Sequence, residues 1–317
     1  MISRRTIRIK ALQILYSYYS SPERSLDKFE KELFFSLTKT YDLYHHLFGL
    51  LLEISDYARR RIETNLAKLQ PSFEDLHPNM KFADNQMIAL IRANRRLKAY
   101  LAKSKLTWVN HQALVKELYS FLTETDFYRE YMESPGTSFF EERKFVEKIF
   151  QNVILISEDL HLALEEESIY WNDDIDMVVA MIIKTLRDFS ETSDEYHPLL
   201  PKFKDKEDEQ FAKDLFRKTI INQDELRGLI DVHSSNWDIE RIAFMDILIM
   251  QLAMAEFLYF PSIPTKVTLN EYIELSKYYS TDKSRNFING ILDNTLKELK
   301  VNNRIRKTGR GLIGENK

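Results

Sequence analysis

The sequence predicts an all-α fold, and three observations do so together. Apolar residues recur at spacings of three and four along most of the 317 residues, the period of a helix that buries one face. Strand-like alternation of apolar and polar residues is nearly absent. Glycine, which hairpins and phosphate-binding loops need at positive φ, occurs only seven times, and Gly309, Gly311 and Gly314 fall in the last nine residues.

The eight prolines punctuate the pattern. In 4–20, Ile7, Ala11, Ile14, Leu15 and Tyr18 form one apolar stripe, with Arg4, Arg5, Arg8 and Gln13 mostly off it. Helical spacing continues over 41–69, 84–103, 107–132, 138–165, 173–190, 206–231, 237–259, 265–279 and 284–302. Asp173 and Asp174 suit a helix cap, as does Asp238, and Asp282 or Ser284 can cap the last helix. The 237–259 segment is apolar nearly all round, but Asp238, Glu240, Arg241, Asp246 and Glu256 interrupt it. It therefore reads as a central core helix, with Trp237 in the core, rather than as a membrane span.

One internal echo stands out. Residues 145–171 and 211–237 superpose without gaps at an offset of 66, matching Phe145/Phe211, Phe150/Phe216, Ile154/Ile220, Leu160/Leu226, Ser168/Ser234 and Trp171/Trp237. A decayed duplication of a helix pair accounts for it. So does chance agreement of two amphipathic helices.

The chain has no cysteine, which excludes disulfides, thiol nucleophiles and cysteine-ligated zinc. No apolar region with a cleavage site follows the basic residues of 1–10, and no apolar run is long enough to span a bilayer, so a cytoplasmic protein is expected. The net charge of −4 says little, but its distribution says more. Arg4, Arg5, Arg8 and Lys10 make the N-terminus cationic. Lys300, Arg304, Arg306, Lys307 and Arg310 do the same near the C-terminus, and 92–105 is a third basic stretch. Acids gather in 141–176.

No Walker loop, dinucleotide fingerprint, zinc-protease motif or nucleophile elbow is present, and the seven histidines lack ligand spacing. No metal, no cofactor and no enzymatic activity are expected. Binding remains. Phosphate contacts need Lys and Arg on a fixed surface, and base contacts need aromatic rings and amides nearby. Residues 4–19 offer Arg4, Arg5 and Arg8, with Tyr16, Tyr18 and Tyr19 behind them. Residues 283–290 offer Lys283, Arg285, Asn286, Phe287 and Asn289, where Ser284-Arg285 is expected to open a helix with free N–H groups. Either stretch alone reads as a solvated helix face, with Phe287 in the core.

Together the two stretches resemble the transcription antitermination factor NusB family. The first helix carries Ala-x-Gln-x-Leu-Tyr (Ala11, Gln13, Leu15, Tyr16). Ile-Pro-x-Lys-Val-x-x-Asn-Glu runs from Ile263 to Glu271, and Ser-x-x-Phe-Ile-Asn-Gly-Ile-Leu-Asp from Ser284 to Asp293. The resemblance implies a helical bundle of two helical subdomains, here enlarged by additional helices. It implies pairing with a NusE-type small-subunit ribosomal protein. That pair would bind single-stranded boxA-like RNA of ribosomal RNA transcripts within an RNA polymerase antitermination complex. No catalysis and no membrane contact are implied. The RNA-binding residues carried over are Arg4, Arg5, Arg8, Tyr16, Lys266, Lys283, Arg285, Asn286, Phe287 and Asn289. Lys283, Arg285 and Asn286 are expected beside the N-terminal arginines, and Gly290 is expected to allow close approach of a neighbouring helix.

The chain is more than twice the family's usual length. The expected organisation is an N-terminal helical subdomain over 1–70, a helical insertion over 71–205, a NusB-like C-terminal subdomain over 206–303 and a basic flexible tail over 304–317. Residues 26–69 would supply the family's second and third helices, or 206–235 would supply the third. The alternative function is a helical protein-interaction scaffold, or an rRNA-maturation factor, that has lost boxA binding.

Overall fold

A computed structural model describes residues 1–136, 138–234 and 242–315. Among them no strand occurs and the α-helices, in chain order, are α1 (Arg4–Ser20), α2 (Leu26–Leu66), α3 (Phe73–Leu76), α4 (Gln86–Ala93) and α5 (Arg95–Ser104). There follow α6 (Gln112–Glu124), α7 (Asp126–Glu133), α8 (Phe139–Ile149), α9 (Glu158–Glu167) and α10 (Ile175–Asp188). The last five are α11 (Lys206–Ile221), α12 (Gln223–His233), α13 (Phe244–Tyr259), α14 (Thr265–Tyr279) and α15 (Asp282–Val301). Trp237 and Asp238, expected as core and cap, lie outside the described residues.

Contacts divide the chain into two compact units: Thr38–Lys202 with Met1, and Ile2–Leu37 with Phe203–Lys317. The boundaries at 37/38 and 202/203 differ from those expected at 70/71 and 205/206. The reason is α2, a single 41-residue helix where two helices were expected, whose first twelve residues belong to the discontinuous unit.

The inner unit, 38–202, is built around aromatic side chains. Trp108 Nε1 donates to His46 O at 2.8 Å, and Trp171 Nε1 donates to Lys39 O at 2.7 Å, so both buried indoles are satisfied. Tyr131 stacks on Phe145 with centroids 3.8 Å apart. The two ends of this unit meet: Lys202 Nζ donates to Thr38 Oγ1 at 2.6 Å.

Four helices expected to be continuous are broken. The patterns over 84–103, 107–132, 138–165 and 206–231 divide at Asn94, at Thr125, over 155–157 and at Asn222. At the first break the Asn94 side chain accepts from Leu97 N, and at the second the Thr125 hydroxyl accepts from Tyr128 N. The apolar spacing runs on through each break. The pair expected to cap α10 behaves differently as well. Asp174 occupies the cap position, but its carboxylate accepts from Thr40 Oγ1 at 2.5 Å rather than from the helix.

The echo at an offset of 66 is structural as well as sequential. The helix α8 with its π-helical continuation to Ile154, then α9, reproduces α11 and α12 to within a residue or two at each boundary. Phe145, Phe150, Ile154 and Leu160 are buried, as are Phe211, Phe216, Ile220 and Leu226.

In the discontinuous unit, α13 is the hub. Every residue from Asp246 to Phe257 is buried, and α1, α11, α12, α14 and α15 pack around it. No described helix is long and apolar enough to cross a membrane. The C-terminal residues are not a free tail. Residues 302–315 form a strap across the α13–α14 turn. Thr308 N donates to Pro261 O at 3.0 Å, and Lys307 Nζ to Phe260 O at 2.9 Å. Burial pulls the Lys307 ammonium down to about 8. Glu315 accepts from Thr265 N at 2.8 Å and pairs with Lys300 at 2.7 Å. A Cβ on Gly311 would lie 1.9 Å from Pro261 O, so only glycine allows the strap to lie this close.

His45 on α2 gives the inner unit a pH dependence. Its ring stacks on Tyr100 at 3.7 Å, and one ring nitrogen contacts Tyr41 O at 2.9 Å. Burial pushes its pKa down to about 4. The folded unit therefore keeps the imidazole neutral while the unfolded chain takes up a proton near its ordinary pKa. Stability from this group is lost as pH falls from about 6.5 to about 4, by roughly 3 kcal/mol in all. In urea denaturation, the stability difference between wild type and His45→Gln is expected to shrink from pH 7.5 to pH 4.5. A difference independent of pH would overturn the assignment.

Candidate nucleic-acid interface

The helix α1 is held by its own arginines, each to a different neighbour. Arg4 Nε donates to Asp208 Oδ1 of α11 at 2.7 Å. Arg5 forks onto Glu271 of α14, with both N–H···O distances 2.9 Å. Arg8 forks onto Glu256 of α13 at 2.8 and 2.7 Å, and its remaining nitrogen lies 3.6 Å from Glu271. Glu256 is fully buried and accepts further hydrogen bonds from Thr268 Oγ1 at 2.7 Å and Tyr272 OH at 3.2 Å. Burial alone would pull the Arg8 pKa down. The Glu256 charge and its hydrogen bonds outweigh that and hold the guanidinium above its ordinary value.

This changes the reading of the cationic N-terminus. Arg8 is 3% exposed and wholly engaged with carboxylates, and Lys10 is 1% exposed, so neither offers a charge to solvent. The helix period places them inward because α1 is wrapped by neighbours on most sides. Arg4 and Arg5 remain at the surface, with side chains 33% and 52% exposed, though each has its carboxylate.

Arg5 reaches Glu271, and Gln13 Nε2 donates to Tyr279 OH at 3.1 Å. The same sequence separation at both ends means that α1 and α14 run side by side in one direction. At their C-terminal ends the exposed Tyr16 ring lies 5.7 Å from that of Phe244, itself at the start of α13. Ser280 Oγ donates to Asp246 Oδ1 at 2.5 Å and ties the α14–α15 turn to the same place. A hollow of about 450 Å³ opens there among Asp246, Tyr278 and Thr281.

Thr281 caps α15, its hydroxyl accepting from Ser284 N, where Asp282 or Ser284 was expected to cap. The helix thus opens at Asp282, and the Ser284 and Arg285 N–H groups are already bonded, to Thr281 Oγ1 and Thr281 O. Lys283, Asn286 and Asn289 are exposed, and their spacing of three puts them on one stripe of α15. Lys283 makes no ion pair among the described residues. Arg285 is paired with Asp282, and Phe287 is half-buried. Gly290 faces open space: a Cβ there would meet nothing within 4 Å, so close helix packing does not explain it.

The sequence-derived residues therefore fall into two groups rather than one. Arg4, Arg5 and the exposed Lys266 sit at the N-terminal ends of α1 and α14. Tyr16 and the α15 residues sit at the other end, not beside the N-terminal arginines as expected. Along α1 the two groups are roughly 18 Å apart, at 1.5 Å rise per residue. Sequence reasoning missed Phe244 and Tyr278, which are 42% and 81% exposed, because both sit inside runs that read as core. It also missed Arg310, hidden in an apparent tail.

Among the described residues no group of His, Asp and Glu gathers as a metal site would require. What the fold presents is a helical protein whose candidate site is an open surface of cations, amides and rings. The NusB family model matches residues 176–297, from α10 into α15. A NusB transcription antitermination protein of Salinibacter ruber is 42% identical over 115 residues, covering 36% of this chain and 72% of that protein. The homologue of Chloroherpeton thalassium is 43% identical over 103 residues, covering 32% and 49%. A T. maritima NusB structure is 29% identical and covers 44% of this chain and 85% of its own, with a TM-score of 0.28. The chain belongs to the NusB family.

Arg8→Ala leaves Glu256 buried without its charge partner and is expected to cost about 3–5 kcal/mol. Arg5→Ala, at a half-exposed pair, is expected to cost no more than about 1 kcal/mol. Chemical denaturation of both variants checks this, and equal losses would show that Arg8 does not hold the unit together.

Proposed function

We propose that this protein is an RNA-binding transcription antitermination factor. In this reading it pairs with a NusE-type ribosomal protein on single-stranded boxA-like RNA of ribosomal RNA transcripts, as part of an RNA polymerase antitermination complex. It has no catalytic role. The observation that carries the reading is membership of a family whose matched relatives are named as transcription antitermination proteins. The geometry fits it. Lys283, Asn286 and Asn289 offer one charge and two amides along one line, and the exposed rings of Tyr16, Phe244 and Tyr278 suit stacking of unpaired bases. Arg8 acts in this scheme by positioning α1, not by touching RNA.

The test is binding of a short boxA-like single-stranded RNA at two salt concentrations, with and without the NusE-type partner. Selective binding that tightens with the partner and weakens with salt is expected. Lys283→Ala with Asn286→Ala is expected to weaken binding several-fold and to flatten the log–log salt slope by about 0.7, the share of one lost phosphate contact. No selective binding by the folded protein with its partner present would instead favour a protein-interaction scaffold.

A further inference from the structure

The strap over 302–315, which lies outside the family motifs, closes one side of a cavity. The cavity holds about 470 Å³ and lies within the discontinuous unit, between the N-terminal ends of α1 and α14. Arg4, Arg5 and Arg8 line it from α1, and Arg310 lines it from the strap. Ile263, Val267 and Ile313 supply an apolar wall. Of these, Val267 and Ile313 are 44% and 68% exposed, a large apolar surface to leave open beside four guanidinium groups.

Three of the four guanidinium groups are paired. Arg4 is matched by Asp208 and lies 3.9 Å from the exposed Glu207, Arg5 is matched by Glu271 and Arg8 by Glu256. Arg310 makes no ion pair among the described residues, so its guanidinium is left open at the cavity. The backbone that carries Arg310 is fixed from both sides. Thr308 N is bound to Pro261 O, Gly311 lies against the same carbonyl, and Glu315 is held by Thr265 and Lys300. A strap held between such anchors is already ordered before a ligand arrives, which lowers the cost of binding.

An unpaired guanidinium beside an exposed apolar wall suits an anion that carries a ring. The hollow is large enough to admit one nucleotide. We propose that the strap completes a nucleotide subsite, in which Arg310 and Arg5 hold one phosphate of a bound RNA strand and Ile263, Val267 and Ile313 receive its base. This rests on the RNA-binding reading and adds the strap, through Arg310 and Ile313, to the cations already expected to meet RNA at that end of α1. The base would be held by apolar contact, so this subsite is tolerant of sequence.

The experiment measures the boxA-like RNA against wild type, Arg310→Ala, Gly311→Ala, and Lys283→Ala with Asn286→Ala, each at two salt concentrations. Arg310 is exposed, so its loss is expected to leave folding intact, and circular dichroism with thermal melting checks this. The expected result is several-fold weaker binding by Arg310→Ala, with a salt slope flatter by about 0.7. Gly311→Ala, which dislodges the strap, is expected to weaken binding at least as much. If wild type binds and the Lys283/Asn286 variant weakens while both strap variants bind as wild type, the strap subsite is wrong and the RNA-binding reading stands. If folded wild type binds no RNA, both fall.

Discussion

The discontinuous unit depends on one buried ion pair. Arg8 and Glu256 are 248 residues apart in sequence and meet with 3% and 0% of their side chains exposed. Two charges removed from water are tolerable only when each meets the other and all remaining hydrogen-bonding capacity is filled. Here Thr268 and Tyr272 complete the carboxylate, and Glu271 closes the far side of the guanidinium. That requirement fixes α1 against α13 and α14 at once. The Arg5–Glu271 pair, the Gln13–Tyr279 bond and the walls of the strap cavity all inherit their geometry from it.

The same constraint explains how much of the site was legible in the sequence. Lys283, Asn286 and Asn289 could be read as a surface stripe because helical spacing alone sets which residues share a face. Arg8 could not be separated from Arg4 and Arg5, since what distinguishes it is a carboxylate far along the chain. Basic composition near the C-terminus looks like a tail, because several contacts that fix the strap are to backbone groups of Phe260, Pro261 and Thr265, which leave no trace in residue identity. Gly311 was the one available signal: a glycine in a chain with few of them marks a place where backbone meets backbone.

The fold class was legible because an amphipathic period is a local property. The breaks at Asn94, Thr125 and Asn222 were not, because a polar residue within a helical pattern serves equally as a surface position or a cap. The single helix α2 was hidden for a related reason. Its 41 residues run across the division between the two units, which local spacing does not register. The echo between α8–α9 and α11–α12 was visible as matched apolar positions, and the agreement of helix boundaries adds a feature that spacing alone does not supply.

Placing residues 38–202 between the two parts of one unit has a consequence for the order of events during synthesis. At roughly 5–20 residues per second, Arg8 leaves the ribosome about 10–50 s before Glu256 exists. Until then α1 has no core to join and its guanidinium stays hydrated. The intervening unit can fold within that interval. Its ends are joined by the Thr38–Lys202 bond, so its completion brings residue 37 next to residue 203. The remaining closure then spans about a third of the chain length it would otherwise, easing its entropic cost by ~1 kcal/mol. Helix α1 is thus translated before the inserted unit and assembled after it.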